Sequence, residues 1–354
     1  MQTTSNPLKA RWAEYRRENP KSRIRDAAQA LQVSEVELLA TGCGETVTRL
    51  RPGQAQGLGD LLLRLPGLGR VMALTRNEHA VHERKGLYRE IQFFQHFGNV
   101  LGPDIDLRFF LNSWASAFAV QEETPHGLRE SLQFFAHDGS AIHKVYLEPE
   151  ADRVAFAKLV EDFRHEDQST EQAVQPPKPK TPDRADSEID AAGLCEGWRT
   201  LQDTHDFFLL LRKFQVGRQQ ALRLGGPEFA QPVPLDSGER ILRAAAGTGL
   251  PIMVFVGNDG MIQIHTGPVE KIAPYGEWIN VLDSEFNLHL RQSAITSAWA
   301  VRKPTRDGDV NSLELYDASG EMVVQFFGRR KPGEAERPEW REVLQGLSSP
   351  EVMA

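Results

Sequence analysis

The chain predicts an α+β fold made by tandem duplication. One unit of helices followed by an antiparallel sheet is written twice, giving a pseudo-twofold pair of large β-sheets flanked by helices. Three observations predict it. Residues 70–139 set against 251–320, at a constant offset of 181 and with no gap, are identical at 17 of 70 positions; average residue usage of about 6–7% gives about four by chance. Each matched block follows a stretch of helical period. Between the copies lies 165–190, polar, charged and proline-rich with no apolar period, which reads as an extended linker. The expected domains are therefore 1–164, the linker 165–190, and 191–354. Two copies alone suggest a pair rather than a solenoid.

In chain order, residues 8–50 read as helices. Trp12, Tyr15 and Arg16 belong to one, 24–31 to a second, and 33–39 to a third, with Ser34 as N-cap and Glu37 completing a capping box. From about Gly69 the period changes. Residues 71–75 form a short buried strand, and 86–94, 106–110, 114–120 and 131–135 follow as strands. Asp138-Gly139 is a turn signal from which 141–147 pairs back. Residues 150–163 return to helix. After the linker come helices from about 190 to 224, strands from about 251 to 328, and a last helix near 338–347. Residues 198–226 stand out. At helical spacing Trp198, Leu201, His205, Phe208 and Leu209 fall on one side, and Phe207, Leu210, Leu211 and Phe214 on the adjacent side. A helix so apolar is expected to be buried, placing His205 on a packed wall. Residues 215–217 break the pattern, 218–224 resume it, and Gly225-Gly226-Pro227 stops it. Arg218 opens that second helix, where the helix dipole disfavours a cation; an anionic partner is expected.

Composition bounds the function. The chain has 354 residues, 40% of them hydrophobic and 25% charged, with a net charge of −8. This argues against bulk nucleic-acid binding and against a generic anionic-membrane binder. Two cysteines, Cys43 and Cys195, exclude a disulfide framework and a cysteine-based zinc site, and suit a reducing compartment. No stretch approaches the ~18 apolar residues of a membrane span, so a cytoplasmic protein is expected. Phosphate-loop, dinucleotide, nucleophile-elbow and zinc-protease motifs are all missing.

Positions at which the copies diverge are where a function assigned to one half would show. His205 faces Ile24 or Asn19, depending on whether the sheet offset or the Trp12/Trp198 offset is used. Arg218 faces Glu37 or Gln32 by the same offsets. Arg302 faces Gln121, Lys303 faces Glu122, Gln325 faces Lys144, and Phe327 faces Tyr146. The second copy thus adds one histidine and a set of cations: Arg218, Arg302, Lys303, Arg329, Arg330 and Lys331. One imidazole on an apolar wall with cations around it suits a large flat apolar ligand bearing carboxylates and a metal, which describes haem. Blander readings stand beside this one. His205 as a core histidine bonded to a carbonyl or to Asp206, Arg218 in a salt bridge to Asp203 or Asp206, and Lys303 and Arg330 as strand-edge cations all fit the pattern. His79 and His82 read as a polar hairpin tip, His137 and His143 as surface strand residues, and His96 as a candidate second contact.

The order W…DTHDFFLLLRKF…RQQALRL, with GNVLGPDIDLRFFLNSWASAFAV in the first half and NLHLRQSAITSAWAVRKP in the second, resembles the HemS/ChuS-type cytoplasmic haem-utilisation proteins of Gram-negative bacteria. These are described as haemin-degrading or haem-trafficking proteins. The resemblance covers nearly the whole chain. It implies haem b as cargo or substrate, with His205 as the axial iron ligand and Arg218 on a propionate side. It further implies Lys303, Gln325, Phe327 and Arg330 as pocket residues, and Arg108 from the first half. Where members often carry tyrosine this chain has Phe327, so a phenolic hydrogen bond is missing. The implied activity is receipt of imported haem and its transfer to a haem oxygenase. The alternatives are an enzyme that opens the porphyrin with oxygen and a reductant, and an interaction module without catalysis.

Overall fold

A computed structural model of the chain describes residues 6–95, 97–330 and 333–347. His96 and Lys331 lie outside the described residues. The first repeat runs α1 (Pro7–Glu18), α2 (Ile24–Leu31), α3 (Glu35–Ala40), β1 (Val47–Leu50), α4 (Gly59–Leu62), β2 (Val71–Arg76), β3 (Ala80–Gly86), β4 (Ile91–Phe94), β5 (Phe97–Val100), β6 (Asp106–Phe110), β7 (Trp114–Thr124), β8 (Gly127–Ala136), β9 (Ala141–Leu147) and α5 (Arg153–Asp162). The second runs α6 (Ala191–Arg199), α7 (Asp206–Phe214), α8 (Arg218–Gly225), β10 (Ala230–Pro232), α9 (Ser237–Thr248), β11 (Ile252–Asn258), β12 (Met261–Gly267), β13 (Ile272–Tyr275), β14 (Trp278–Leu282), β15 (Phe286–Arg291), β16 (Ser297–Lys303), β17 (Val310–Tyr316), β18 (Met322–Gly328) and α10 (Pro338–Gly346). The strands form two large antiparallel sheets flanked by helices.

The chain divides into two compact units. The first comprises residues up to 76, 83–178 and 257–263; the second comprises 77–82, 179–256 and 264 onward. Both contain the same strand order, β1-β7-β8-β9-β2 in the first and β10-β16-β17-β18-β11 in the second. Each also has a three-stranded run, β4-β5-β6 or β13-β14-β15. Register agrees with the sequence frame: Val47 pairs with Val120, and Ala230 with Val301. The matched Asn77 and Asn258 make the same turn. Each side-chain oxygen accepts the backbone N–H groups two and three residues on, at 2.9–3.0 Å.

The helical fronts superpose at a different offset, 183. Gln32 and Gln215 each close a helix in the left-handed region, at φ 56° and 51°. Ser34 and Gly217 then cap the next helix, and Glu35 and Arg218 open it. The Ser34/Glu37 capping box is present, with Glu37 accepting the Ser34 N–H at 2.8 Å. Arg218 therefore corresponds to Glu35, not to Glu37 or Gln32, and His205 corresponds to Ser22.

Four sequence expectations are corrected. The stretch read as strand over 86–94 is interrupted, since the chain leaves β3 at Gly86 and re-enters regular pairing at Ile91. Helix α9 was not expected; its Ile241, Leu242 and Ala245 pack into the second unit's core with Phe326 and Trp340. His143 is no surface residue. It is buried on β9, bridging Thr75 Oγ1 through Nδ1 (2.8 Å) and Tyr88 Oη through Nε2 (2.6 Å). His82, expected at a polar tip, is likewise buried, on β3.

Residues 166–185 form no helix or strand. Those up to 175 are held on the first unit. Arg49 donates to the carbonyls of Ser169 (3.1 Å) and Glu171 (2.8 Å) and to the Gln172 side chain, and the Gln175 N–H donates to His137 O at 2.7 Å. No helix among the described residues is long and apolar enough to cross a membrane.

Candidate functional site

The long helix expected over 198–214 is two helices. Between α6 and α7 the polar residues take backbone groups for themselves. Thr200 Oγ1 donates back to Glu196 O (3.0 Å), Asp203 Oδ1 accepts the His205 N–H (2.9 Å), and Asp206 Oδ2 accepts the Asp203 N–H (3.1 Å). Such local bonds compete with helix propagation. Trp198 stays with α6, fully buried between the rings of Phe207 and Phe229 at 4.4 and 5.0 Å. Its Nε1 donates to Arg302 O at 3.0 Å.

His205 lands one residue before α7, and its expected place on a packed wall is wrong. The imidazole is 91% exposed. The facing of α7 is as its period predicts: Phe207, Leu210 and Leu211 point inward, while His205, Phe208 and Leu209 share the outer side. That outer side is open, with Phe208 62% and Leu209 60% exposed. Nδ1 of His205 lies 2.6 Å from Asp203 Oδ1. This contact orients the ring and leaves Nε2 for a ligand, as a carboxylate on the other ring nitrogen does for metal-bound histidines. The His205 backbone N–H holds the Asp203 carboxyl below its usual range, and the imidazole and the Arg330 charge act in the same direction.

The cations expected around this histidine converge on a residue that sequence reasoning missed. Glu314, in the middle of β17, is 0% exposed. Its carboxylate accepts from Arg218 Nε (2.9 Å) and Nη2 (2.6 Å), Lys303 Nζ (3.0 Å), Gln325 Nε2 (2.9 Å), Ser312 Oγ (3.2 Å) and Tyr316 Oη (2.6 Å). The anionic partner of Arg218 is thus Glu314, and not Asp203 or Asp206. Sheet register explains the convergence: Trp299 and Gln325 flank Glu314 on β16 and β18, and Lys303 is four pairs along on the same face. Phe207 caps the cluster, with Arg218 and Lys303 at 5.2 and 5.0 Å from its centroid.

Burial works to raise the Glu314 carboxyl, but Arg218 and Lys303 overcome it and hold the group well below the carboxylate range. Burial likewise opposes the Arg218 charge, and Glu314 more than offsets it. For Lys303 burial wins. Glu314 supports its charge, Arg218 opposes it, and the ammonium is pushed down to about 8. Lys303 is only 4% exposed; Arg218 keeps 30% of its side chain open.

Gln325 and Phe327 share this sheet face, while Phe326 points into the core. Phe327 is half-buried and packs against Phe255 at 4.9 Å. Arg330 is half-buried just beyond β18, and Arg329 is exposed. Arg302 faces elsewhere, toward Glu228 and Asp309. Arg108 belongs to the first unit, on β6, where it is ion-paired to Asp106. That unit also has an open cavity of about 420 Å³ beside Trp114 and His165. Its one arginine, Arg49, is spent on the carbonyls of residues 169 and 171.

The residues 32–163 and 215–347 each match the family described as "Haemin-degrading HemS.ChuX domain". The hemin transport protein HmuS of Yersinia pestis is 40% identical over 98% of this chain and 99% of its own. Among solved structures, the heme-binding protein PhuS of Pseudomonas aeruginosa is 48% identical, covering 96% of this chain and 98% of its own, with a TM-score of 0.93. The heme degrading enzyme ChuS of Escherichia coli O157:H7 is 37% identical over 97% and 99%, with a TM-score of 0.88. A chain that matches the domain twice, once in each repeat, and matches these relatives end to end, belongs to the HemS/ChuS family of haem-handling proteins.

Proposed function

We propose that the protein binds haem through Nε2 of His205 and passes it on, with a haem oxygenase as recipient in the cytoplasm. One observation carries this reading. A histidine whose Nδ1 is fixed by Asp203 stands almost fully exposed beside two exposed apolar side chains, Phe208 and Leu209. Exposed apolar surface next to an oriented imidazole costs a monomer solubility unless a ligand covers it. The ligand that fits is flat, apolar, metal-bearing and anionic at its edge. Arg218 and Arg330 supply charge for the carboxylates, and the Phe255–Phe327 pair supplies apolar surface. Lys303 and Gln325 act through Glu314.

Ligation by a single exposed histidine suits a carrier, because the bond can be exchanged. Titration of haemin should give a Soret band saturating near one equivalent. His205→Ala should shift that band or weaken binding by tenfold or more, since iron–imidazole ligation is lost. Identical titrations would refute the assignment.

The relative named a heme degrading enzyme favours a second reading, in which the protein opens the porphyrin ring. The ring chemistry then belongs to the iron and oxygen, and this chain supplies binding and orientation. Reductant and catalase together decide it. A verdin-type product and free iron formed with catalase present would establish degradation; unchanged haem supports the carrier.

A further inference from the structure

The open cavity of about 420 Å³ in the first unit lies where β1 ends and β7 begins. Its volume is within the range of small-molecule sites, about 300–1,000 Å³. Trp114, Leu58 and Leu111 give it apolar walls, and Arg49, His165 and Ser116 give it polar ones. No aspartate or glutamate among the described residues lines it. Three of these residues differ from the second repeat in identity or in bonding. Arg49 pairs with Phe118 of β7 as Pro232 pairs with Trp299 of β16, so a proline stands in the place of the cation. Trp114 corresponds to Ile295 at the sheet offset. Ser116 corresponds to Ser297, whose hydroxyl accepts from the Gln219 side chain. The helical offset puts Val36 in the place of Gln219, and the Ser116 hydroxyl makes no hydrogen bond among the described residues. His165 is half-buried, and its Nδ1 accepts the Asp167 N–H at 2.9 Å. That bond puts the ring proton of a neutral imidazole on Nε2, which donates to no described residue. The donors of Arg49 go to neutral oxygens, on Ser169, Glu171 and Gln172. Among the described residues no carboxylate forms an ion pair with it, so its donors are engaged while its charge is not cancelled.

We infer that this cavity is a second ligand site, separate from the haem face, and that it takes a small aromatic monocarboxylate. The apolar walls fix the class of the ligand body: an indole face and two leucines suit an aromatic ring. The polar walls fix its charge. The imidazole N–H and the serine hydroxyl are free to donate, the guanidinium is cationic, and there is no carboxylate to repel an anion. His165 Nε2 and Ser116 Oγ donate to the ligand carboxylate, while Arg49 stabilises it by its field. One guanidinium matches one carboxylate; a doubly charged phosphate would keep a charge without a counterpart in a half-apolar site. The residues that make the site are the ones the first repeat does not share with the second, as expected of a function given to one copy only.

The test is calorimetric titration of the full, haem-free chain with naphthoate and with its uncharged counterpart naphthamide. Naphthoate should bind near one equivalent, about tenfold or more tighter than the amide, the scale of a charge-assisted hydrogen bond. His165→Phe keeps a ring but not the N–H, and should shrink that preference to under about threefold. Arg49→Met should also shrink it, but this change releases residues 169–172 as well. A third variant avoids that complication. Ala115 is exposed and lines the cavity; Ala115→Trp should block it, abolishing the binding of both probes while the haemin titration stays unchanged. A flat anion could also enter the haem site, so the titration is repeated after one equivalent of haemin, which should leave naphthoate binding in place. Displacement of naphthoate by haemin overturns the inference, and so does binding that survives Ala115→Trp. Equal affinity for the two probes defeats the assignment of a carboxylate, and a chain that binds neither probe defeats the site itself.

Discussion

At the scale of single residues, His205 shows that spacing gives a side chain's face on a helix but not what surrounds that face. Its face on α7 follows from helical spacing, because 205, 208 and 209 are neighbours on any helix. Whether that face looks inward depends on what covers it. Here Phe207, Leu210 and Leu211 satisfy the core, so the other face is left to solvent. Lys303 offers a measurable consequence. Its ammonium is pushed from the ordinary 10.5 to about 8 by burial. As pH rises through about 8 the folded protein loses this charge, so affinity for a carboxylate-bearing ligand should fall above pH 8. Lys303→Met should flatten that dependence in haemin titrations from pH 6 to 10. For stability the sign is opposite. Between about 8 and 10.5 the unfolded chain holds the proton that the native chain has released, so this group's penalty is relieved as pH rises. The cation types were legible from the duplicated frame, but Glu314 was not. A lone glutamate in a strand reads as solvent-facing until register places Arg218, Lys303 and Gln325 around it.

Elements were read more surely than their ends. The capping box at Ser34, the turn at Gly139 and the stop at Gly226 are local signals, and all are present. Periodicity shows no break between α6 and α7, because the apolar stripe continues through it in sequence. Thr200, Asp203 and Asp206 end the helix by side-chain bonds that periodicity does not count. In β9, strand pattern alone places His143 at the surface, where a strand histidine usually sits. Its partners Thr75 and Tyr88 come from other elements, and in the second repeat the three positions are Val256, Val269 and Val324, all in one core cluster. Burial holds the imidazole down at about 3, against an ordinary 6.5. The native state therefore resists the proton that the unfolded chain accepts, and stability is lost as pH falls from about 6.5 toward 3. His143→Val should remove this acid limb. At pH 7 it should cost about 1–3 kcal/mol for each hydroxyl left without a partner, Thr75 and Tyr88. Urea unfolding at pH 7 and pH 5 reads both effects.

At the scale of the whole molecule, the duplication is visible in strand order as well as in sequence, and the family matches the chain once per repeat. The compact units do not coincide with the repeats, because 77–82 counts with the second unit and 257–263 with the first. In the second unit Asn77 Nδ2 donates to Val323 O (2.8 Å), and His79 O accepts the Arg291 N–H (2.8 Å). A chain begun at Pro179 lacks these partners. Its urea midpoint should fall below that of the second unit in the full chain, with a loss of about 1–3 kcal/mol for the two bonds. Equal midpoints would show that 77–82 contributes nothing to that unit.

Repetition, periodicity and turn chemistry lie within a few residues of one another or at a constant offset, so the amino-acid order alone specified the doubled α+β architecture and the half that bears the histidine. Burial and charge pairing were decided only by the folded chain. Arg218 and Glu314 are 96 positions apart, and no local pattern reports that a helix start and a mid-strand carboxylate will share one dry site. The exposure of His205 has the same origin, since what lies over a surface is a property of neighbours that only packing brings near.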